Sequence, residues 1–242
     1  MAVIAVAGMA FEARIAGASG AHVISRENEK TLASALAGAI GKDCRGLISF
    51  GVAGGLAPHL PAGTCIVGST ILSNAAEFAT DGDWSTNLLR TIPGAVHGAI
   101  VGVRAPVAEP EAKRVLHART GAMAVDMESH VVASVATARG LPFAAIRVIT
   151  DSATHALPAS AIAAMRANGT IDIGAMVRAI LRSPGELPML LRTARDAVIG
   201  GTALFRSRKL LDKTFGLPLH RLSTETGSAG PRSVERDIRI PV

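Results

Sequence analysis

The first 181 residues alternate short runs of apolar, often β-branched residues with longer stretches that carry apolar side chains at helical spacing. The short runs predict strands at residues 3–7, 21–24, 46–50, 64–69, 98–103, 122–125 and 143–149. The longer stretches predict helices near residues 9–17, 27–40, 84–89, 109–119, 127–139, 158–167 and 171–181. Because strands that alternate with helices form a sheet covered on both faces, we predict an α/β fold. It is a single-domain, three-layer α/β/α structure with a mixed central sheet.

Composition narrows the class of protein. Apolar residues make up 49% of the 242 residues, which is enough for a sizeable core, and no run of 18 apolar residues predicts a membrane span. The N-terminal run that ends at Gly8 lacks the basic segment of a secretory signal. We therefore expect it to be the opening strand and the protein to be cytoplasmic. Cys44 and Cys65 do not make a disulfide framework or a zinc site, and no metal is expected.

Positive charge is concentrated in the last quarter of the chain. Residues 182–242 hold 11 lysines and arginines against 6 acidic residues, so most of the net charge of +6 lies there. Residues 187–211 carry leucines at helical spacing among arginines. This pattern fits a helix docked on the body, or a cationic amphipathic helix at an anionic membrane surface. We expect Gly200 and Gly201 to break or kink the helix.

The change of composition predicts three segments. Residues 1–182 form the α/β domain, residues 183–222 a basic amphipathic helical extension, and residues 223–242 a flexible tail. Nucleic acid is not an expected partner, because the basic segment has only Phe205 and Phe215 as stacking aromatics and contains no binding motif.

Polar residues follow several predicted strands at the point where each strand ends, which is where α/β sheets bind ligands. They are Glu12, the glycines within 51–55, Asp126, Glu128, Arg147, Thr150 and Asp151. The glycines at 51, 54 and 55 match neither a dinucleotide fingerprint nor a phosphate-binding loop. They predict either a tight turn or a backbone surface that lies against a ligand.

Arg147 lies inside a predicted buried strand, where its charge is costly unless it meets a carboxylate. Glu12 and Glu128 are the expected partners, whereas Asp126 is explained as the cap of the following helix. With Asp151 nearby, this set could cleave a glycosidic bond: one acid protonates the leaving group and another activates the nucleophile. The alternative is an ordinary buried ion network.

Four segments resemble, in order and spacing, the nucleoside phosphorylase/nucleosidase superfamily, particularly its methylthioadenosine/S-adenosylhomocysteine nucleosidases. They are Gly8–Glu12, Gly51–Leu56, Val125–Glu128 and Arg147–Asp151. The run Thr120–His130 and the basic C-terminal extension most resemble the hopanoid-associated phosphorylases, which are implicated in removing adenine from adenosylhopane, a lipid-linked nucleoside. The resemblance implies a phosphorylase/hydrolase-like fold and cleavage of the N-glycosidic bond of a 5′-substituted adenosine.

The resemblance also implies a role for each site residue. Asp151 would protonate N7 of adenine, Glu12 would deprotonate the attacking water, and Arg147 would fix the carboxylates and the nucleophile. Glu128 would bind the ribose hydroxyls, and Met127 would pack under the sugar. Further substrate contacts are expected from Met9, Ala53, Gly54 and Thr150.

Two features depart from the pattern of the superfamily. Val52 stands where related enzymes carry a hydroxyl, and the chain contains no tyrosine to stack on a base. Only Arg14 and Arg26 are early arginines that could cradle phosphate. We therefore expect water as the nucleophile and no cofactor, with a phosphorylase that uses phosphate as co-substrate as the alternative. On the 5′ side we expect an apolar channel, with residues 155–158 helping to line it.

The resemblance further implies a homodimer or a trimer-based homo-oligomer. A lipid-linked substrate would give the basic extension a use, namely peripheral contact with an anionic membrane at its inner face. A non-catalytic nucleotide-binding or membrane-peripheral protein is the alternative from another class. The presence of Glu12, Glu128, Arg147 and Asp151 argues against it.

Overall fold

The computed structural model describes residues 3–18, 20–25, 29–74, 76–164, 184–218 and 233–235, together with residues 172, 174 and 178. The strands in these ranges are β1 (Val3–Ala7), β2 (His22–Ser25), β3 (Gly46–Gly55), β4 (Cys65–Leu72), β5 (Ala76–Ala79), β6 (Val96–Gly102), β7 (Ala124–Asp126), β8 (Phe143–Asp151) and β9 (Ser233–Glu235). The helices are α1 (Ala10–Gly17), α2 (Glu29–Ala39), α3 (Gly82–Thr91), α4 (Pro110–Thr120), α5 (Ser129–Ala138), α6 (Ala159–Ala164) and α7 (Leu187–Lys209).

The strands form one mixed sheet that closes on itself. β2, β1, β3 and β8 are parallel neighbours, and β4, β6 and β7 form a second parallel group. Antiparallel pairing of β3 with β7 and of β4 with β8 joins the two groups into a ring. β5 and β9 extend the edge beyond β4. The prediction of a mixed α/β fold is confirmed.

Helices cover both faces of this sheet. Side chains alternate between the two faces along each strand, so neighbouring residues of β1 pack against different helices. Ile4 and Val6 of β1 pack with α2 and α5 in one core cluster. Val3 and Ala5 pack with α1, α3 and α7 in the other. Two packed faces make the three layers that the strand and helix alternation predicts.

The predicted strands and helices are largely found within a few residues of their expected bounds, but three strands differ. β3 continues to Gly55, so the glycines for which a tight turn was one prediction lie within a strand. β5 and β9 were not predicted as strands. Most of the predicted helix over 171–181 and most of the predicted tail over 223–242 lie outside the described residues.

The C-terminal segment packs into the body of the protein. Leu204, Leu211 and Phe215 join the core cluster that contains Trp84, and the indole nitrogen of Trp84 donates to the carbonyl of Phe215 at 2.8 Å. The buried guanidinium of Arg208 donates to the carbonyl of Ala16 at 2.9 Å. One side of α7 is therefore docked on the body, while the boundaries at 182 and 222 remain predictions.

The expected break at the two glycines of α7 is wrong. The helix runs without interruption from Leu187 to Lys209. A side chain at Gly200 would place Cβ 2.5 Å from Cγ2 of Thr150 and 2.8 Å from the carbonyl oxygen of Ile149. The absence of a side chain at Gly200 therefore allows α7 to pack closely on the end of β8. The stability gained by this packing outweighs the low helix propensity of glycine.

Candidate active site

A pocket opens where β1, β3, β7 and β8 end. Its walls come from the segment after β1, from the last residues of β3, from the loop after β7 and from the last residues of β8. Of the predicted site residues, those that line the pocket are Met9, Glu12, Ala53, Gly54, Met127, Glu128, Thr150 and Asp151. Arg147 is fully buried behind them. The structure thus gathers the predicted residues at one place, while their chemical roles remain predictions.

Glu12 lies at the start of α1 and is held by three backbone amides. The N–H groups of Gly8, Met9 and Val52 each donate to its carboxylate at 2.7 Å. Burial raises the pKa of Glu12 above its ordinary value, although Arg147 and the three N–H donors oppose that rise. The result is a fixed, buried carboxylate at the pocket wall whose pKa lies above its ordinary value.

Arg147 is the cation at the centre of a buried network, and its main partner is not the expected one. Its Nε donates to Asp126, and its Nη2 donates to Ser49 Oγ at 2.5 Å. Glu128 lies 3.5 Å from Nη2. The prediction that Asp126 only caps α5 was incomplete: it accepts from Ser129 at the start of α5 and also neutralises Arg147.

Close backbone approach lets this network reach the pocket. A Cβ on Gly51 would lie 2.5 Å from Nη1 of Arg147 and 2.5 Å from Oε1 of Glu12. A Cβ on Gly8 would lie 2.6 Å from the carboxylate of Glu128. Within the described residues, Nη1 of Arg147 has no hydrogen-bond partner, so one donor remains beside Glu12. These glycines make room for charged groups that a side chain would displace.

Asp151 is anchored by a residue that the sequence did not reveal. Nζ of Lys113 donates to Oδ2 of Asp151 at 2.5 Å and to the carbonyl oxygens of Ser152 and His155 at 3.0 and 3.1 Å. Lys113 is fully buried, and the Asp151 side chain is 13% exposed. The available signal was the helical spacing of α4, which puts Lys113 on the same face as the buried Leu116.

The environment of Asp151 suits a group that gives up a proton. Burial raises the pKa of Asp151, the ammonium group of Lys113 lowers it, and Asp196 of α7 raises it. The net direction is upward, as a general acid requires. Asp151 also faces Gly54, where a Cβ would lie 3.2 Å from Oδ2, so this glycine keeps the space in front of the carboxylate open.

The remaining walls of the pocket are aliphatic. They are formed by Val52, Val103, Pro106, Val107, Val125 and Leu157. Within the described residues, none that lines this pocket is aromatic. Of the segment expected to line an apolar channel, Leu157 reaches this pocket, whereas His155 lines a neighbouring cavity beside α7. In the described part of the chain, no cluster of three metal-binding side chains occurs.

A mixed α/β sheet with a pocket at its strand ends, lined by buried carboxylates, is the arrangement in which α/β enzymes bind their ligands. Residues 3–182 match the profile of the phosphorylase superfamily, and the chain belongs to that superfamily. The predictions of this superfamily and of an enzyme are thereby confirmed. No curated protein matches the chain by sequence.

Solved structures share the fold at low sequence identity. The Campylobacter jejuni 5′-methylthioadenosine/S-adenosylhomocysteine nucleosidase has a TM-score of 0.58 at 15% identity, over 74% of this chain and 95% of its own. A mutant of the Helicobacter pylori nucleosidase of the same type, with 5′-methylthioadenosine in its active site, has a TM-score of 0.56 at 16% identity, over 87% of this chain and 99% of its own. The Helicobacter pylori futalosine hydrolase has a TM-score of 0.57 at 16% identity, over 86% of this chain and 97% of its own.

Proposed function

We propose that the protein is a nucleosidase that releases adenine from a 5′-substituted adenosine. The observation that carries the proposal is the arrangement of Asp151 and Glu12 in one pocket. Asp151 is a carboxyl group whose pKa is raised by burial, and Glu12 is a carboxylate aligned by three backbone donors. Relatives by fold that are nucleosidases, one of them with 5′-methylthioadenosine bound, support the choice of ligand.

The first half of the reaction breaks the bond between C1′ of ribose and N9 of adenine. Protonated Asp151 donates its proton to N7, and the electron pair of the breaking bond moves into the purine ring. Positive charge then develops on C1′ and the ring oxygen of the sugar. Glu128 accepts hydrogen bonds from the ribose hydroxyls, and Met127 packs against the sugar while this oxocarbenium character develops.

The second half adds water to the sugar. Glu12 takes a proton from a water molecule, whose oxygen forms the new bond to C1′. The free Nη1 donor of Arg147 lies beside Glu12 and helps to hold that water. The products are adenine and the 5′-substituted ribose, and no cofactor is needed.

A phosphorylase is the second candidate, and it would give ribose 1-phosphate. The superfamily name and the Nη1 donor of Arg147 favour it. Two features favour water. Val52 presents no hydroxyl to phosphate, and its N–H is already used by Glu12 at 2.7 Å. The carboxylates of Glu12 and Glu128 line the pocket and would repel a phosphate dianion.

The 5′ substituent is the least constrained part of the proposal. The aliphatic pocket walls and the resemblance of Thr120–His130 to hopanoid-associated phosphorylases support an apolar substituent, with adenosylhopane as the proposed substrate in hopanoid biosynthesis. A lipid-linked substrate would place the enzyme at the inner face of a membrane as a peripheral protein. No helix in the described part of the chain combines the length and the hydrophobicity needed to cross a bilayer. A homo-oligomer is proposed on the resemblance alone.

The test is adenine release from a 5′-alkyl adenosine, measured with and without phosphate. The wild-type protein should release adenine without phosphate, and Asp151→Asn should reduce the rate by about 10²–10⁴-fold, the usual contribution of a general acid. Glu111→Gln is the matched control, because Glu111 is an exposed carboxylate on α4 that lies outside the pocket.

Three results would count against the proposal. Strict phosphate dependence would establish a phosphorylase. Full activity of Asp151→Asn would remove Asp151 from its role. No release from short-chain and lipid-like substrates would favour a non-catalytic binding protein.

A further inference from the structure

Large exposed apolar side chains are concentrated on one element of this protein. Within the described residues, every large apolar side chain that is strongly exposed belongs to α7 or to the residue that follows it. They are Leu187, Met189, Leu191, Val198, Ile199, Phe205 and Leu210. Single exposed leucines are ordinary in proteins, but a contiguous exposed patch marks a surface that meets something apolar.

The two sides of α7 differ in what they contact. The inner side carries Leu190, Gly200 and Leu204, which are buried against the body. The outer side carries an apolar row that we call the outer stripe, formed by Leu187, Leu191, Ala194, Val198 and Phe205. Steps of three, four and seven residues keep the row on one face of the helix. Its four large members are 45%, 64%, 67% and 43% exposed.

Basic residues border the outer stripe on one side. Arg192, Arg195, Arg206 and Lys209 are all exposed on α7. The ammonium group of Lys209 lies 4.7 Å from the ring centroid of Phe205, so cation and apolar group share one end of the stripe. The helix has one acidic residue, Asp196, and its side chain is turned inward, 3.8 Å from His155. The exposed surface of α7 therefore combines an apolar row with a row of basic residues along one of its sides.

We propose that the outer stripe is the surface by which this enzyme docks on an anionic lipid bilayer, with α7 lying in the headgroup region parallel to the membrane. An apolar row bordered by arginine and lysine matches that environment, because acyl chains accept the row and anionic headgroups accept the cations. A second copy of the chain fits less well. Packing two outer stripes together would bring both sets of basic residues into contact, with no exposed acidic residue on either helix to offset them.

The docked helix lies beside the active site. A cavity next to the pocket is lined by Asp151 and His155 on one side and by Met189, Arg192 and Asp196 of α7 on the other. Membrane docking through α7 would therefore hold the site close to the bilayer. This reason for needing a membrane rests on the proposed function, but docking itself can be tested without any substrate.

The experiment is co-sedimentation of the full chain with vesicles of phosphatidylglycerol and of phosphatidylcholine. We expect binding to phosphatidylglycerol that weakens as salt is raised, and little binding to phosphatidylcholine. The double variant Leu191→Glu/Val198→Glu should weaken binding by about tenfold or more, because it puts charge on the outer stripe. Its matched control is Ala35→Glu/Ala37→Glu, which adds the same charge to the exposed side of α2.

A second pair of variants compares the basic residues of α7 with exposed arginines elsewhere on the protein. Each basic residue close to an anionic surface strengthens binding about fivefold, so Arg195→Glu/Lys209→Glu should weaken it about 25-fold or more. Arg90→Glu/Arg119→Glu, an equal charge change at exposed positions on α3 and α4, should not. Circular dichroism and thermal unfolding show that each variant remains folded.

Several results would overturn the proposal. They are an absence of binding to phosphatidylglycerol vesicles, binding that both α7 variants retain, and equal weakening by the control variants. Sedimentation equilibrium supplies a further one: a dimer that Leu191→Glu/Val198→Glu dissociates would assign the stripe to a second copy of the chain. None of these results depends on adenine release, so failure of docking and failure of the proposed reaction are distinguishable.

Discussion

Replacing Lys113 by methionine tests whether a buried cation controls the acid in the pocket. Methionine keeps the length and much of the volume of lysine but removes the ammonium group. The carboxylate of Asp151 then loses a partner at 2.5 Å, and the carbonyl oxygens of Ser152 and His155 lose a donor. Burial and Asp196, which both raise the pKa of Asp151, remain.

The size of the effect follows from the distance and the burial. Two unit charges 4 Å apart attract by about 4 kcal/mol at an effective dielectric constant of about 20. Removing one member of a buried pair typically costs about 3–5 kcal/mol. Because the Asp151 side chain is 13% exposed and gains some hydration, we expect a loss of about 3 kcal/mol in unfolding free energy at pH 8. In a chain of this size that lowers Tm by about 6–12 °C.

The pH dependence identifies the cause. A carboxylate whose pKa is raised in the folded state destabilises the protein only where it is ionised, so its cost appears as pH rises through that pKa. The deficit of Lys113→Met should therefore be largest at pH 8 and shrink toward pH 4. In the proposed reaction, Asp151 without the ammonium group keeps its proton to higher pH. The basic limb of the rate profile should move to higher pH, and the maximal rate should fall.

The measurement is thermal unfolding from pH 4 to pH 8, together with the pH profile of adenine release. Arg114→Met is the matched control. It removes the neighbouring cation of α4, whose only described ion pair is the exposed one with Glu111, and it should leave both curves unchanged. A Tm deficit of equal size at every pH, with an unmoved rate profile, would show that Lys113 only fills space. The coupling to Asp151 would then be refuted.

Two further predictions concern packing. Gly200→Ala should lower Tm by several degrees, because the added Cβ meets Thr150 at 2.5 Å. Gly201→Ala adds a Cβ that meets nothing within 4 Å, so this variant should stabilise α7 by about 0.5–1 kcal/mol. Equal effects of the two substitutions in urea unfolding would contradict the close packing of α7. Asp126→Asn should cost about 3–5 kcal/mol, because it leaves the buried guanidinium of Arg147 without its main counter-charge. A free energy of unfolding equal to that of the wild type would show that Asp126 is not the main counter-charge of Arg147.

Much of the fold could be predicted because the periodicity of side chains reports directly on burial. β1 has an apolar residue at every position and is buried throughout, so a strand covered on both faces was evident. The continuation of β3 through Gly51–Gly55 was harder to predict. Glycine is common in turns, and the reason for its presence here is the space taken by Arg147, Glu12 and Asp151, which come from other parts of the chain.

In the candidate site too, features that depend on nearby residues could be predicted, whereas contacts between residues distant in sequence could not. Arg147 was predicted to need carboxylate partners because a charge in an apolar strand is costly. The sequence could not tell which acid it meets. Asp126 has a local role at the start of α5, and its contact with Arg147 depends on how β7 and β8 are placed around β3. Lys113 escaped notice because a lysine on a helix is usually exposed, and its three acceptors all come from residues 151–155.

The balance of charge in the buried network connects these contacts to the proposed reaction. Glu12, Asp126 and Glu128 surround Arg147, so three carboxylates share one guanidinium. The same three raise the pKa of Arg147 in spite of its burial, so the cation persists and the excess charge of the network is negative. A negative wall disfavours an anionic nucleophile and favours a sugar that becomes cationic as its bond to adenine breaks. Across the pocket, Asp151 is paired with a separate cation, Lys113, and in the proposed reaction it protonates the base. In the proposed reaction the two halves of the site therefore have different roles, one toward the sugar and one toward the base, and each half contains its own buried cation.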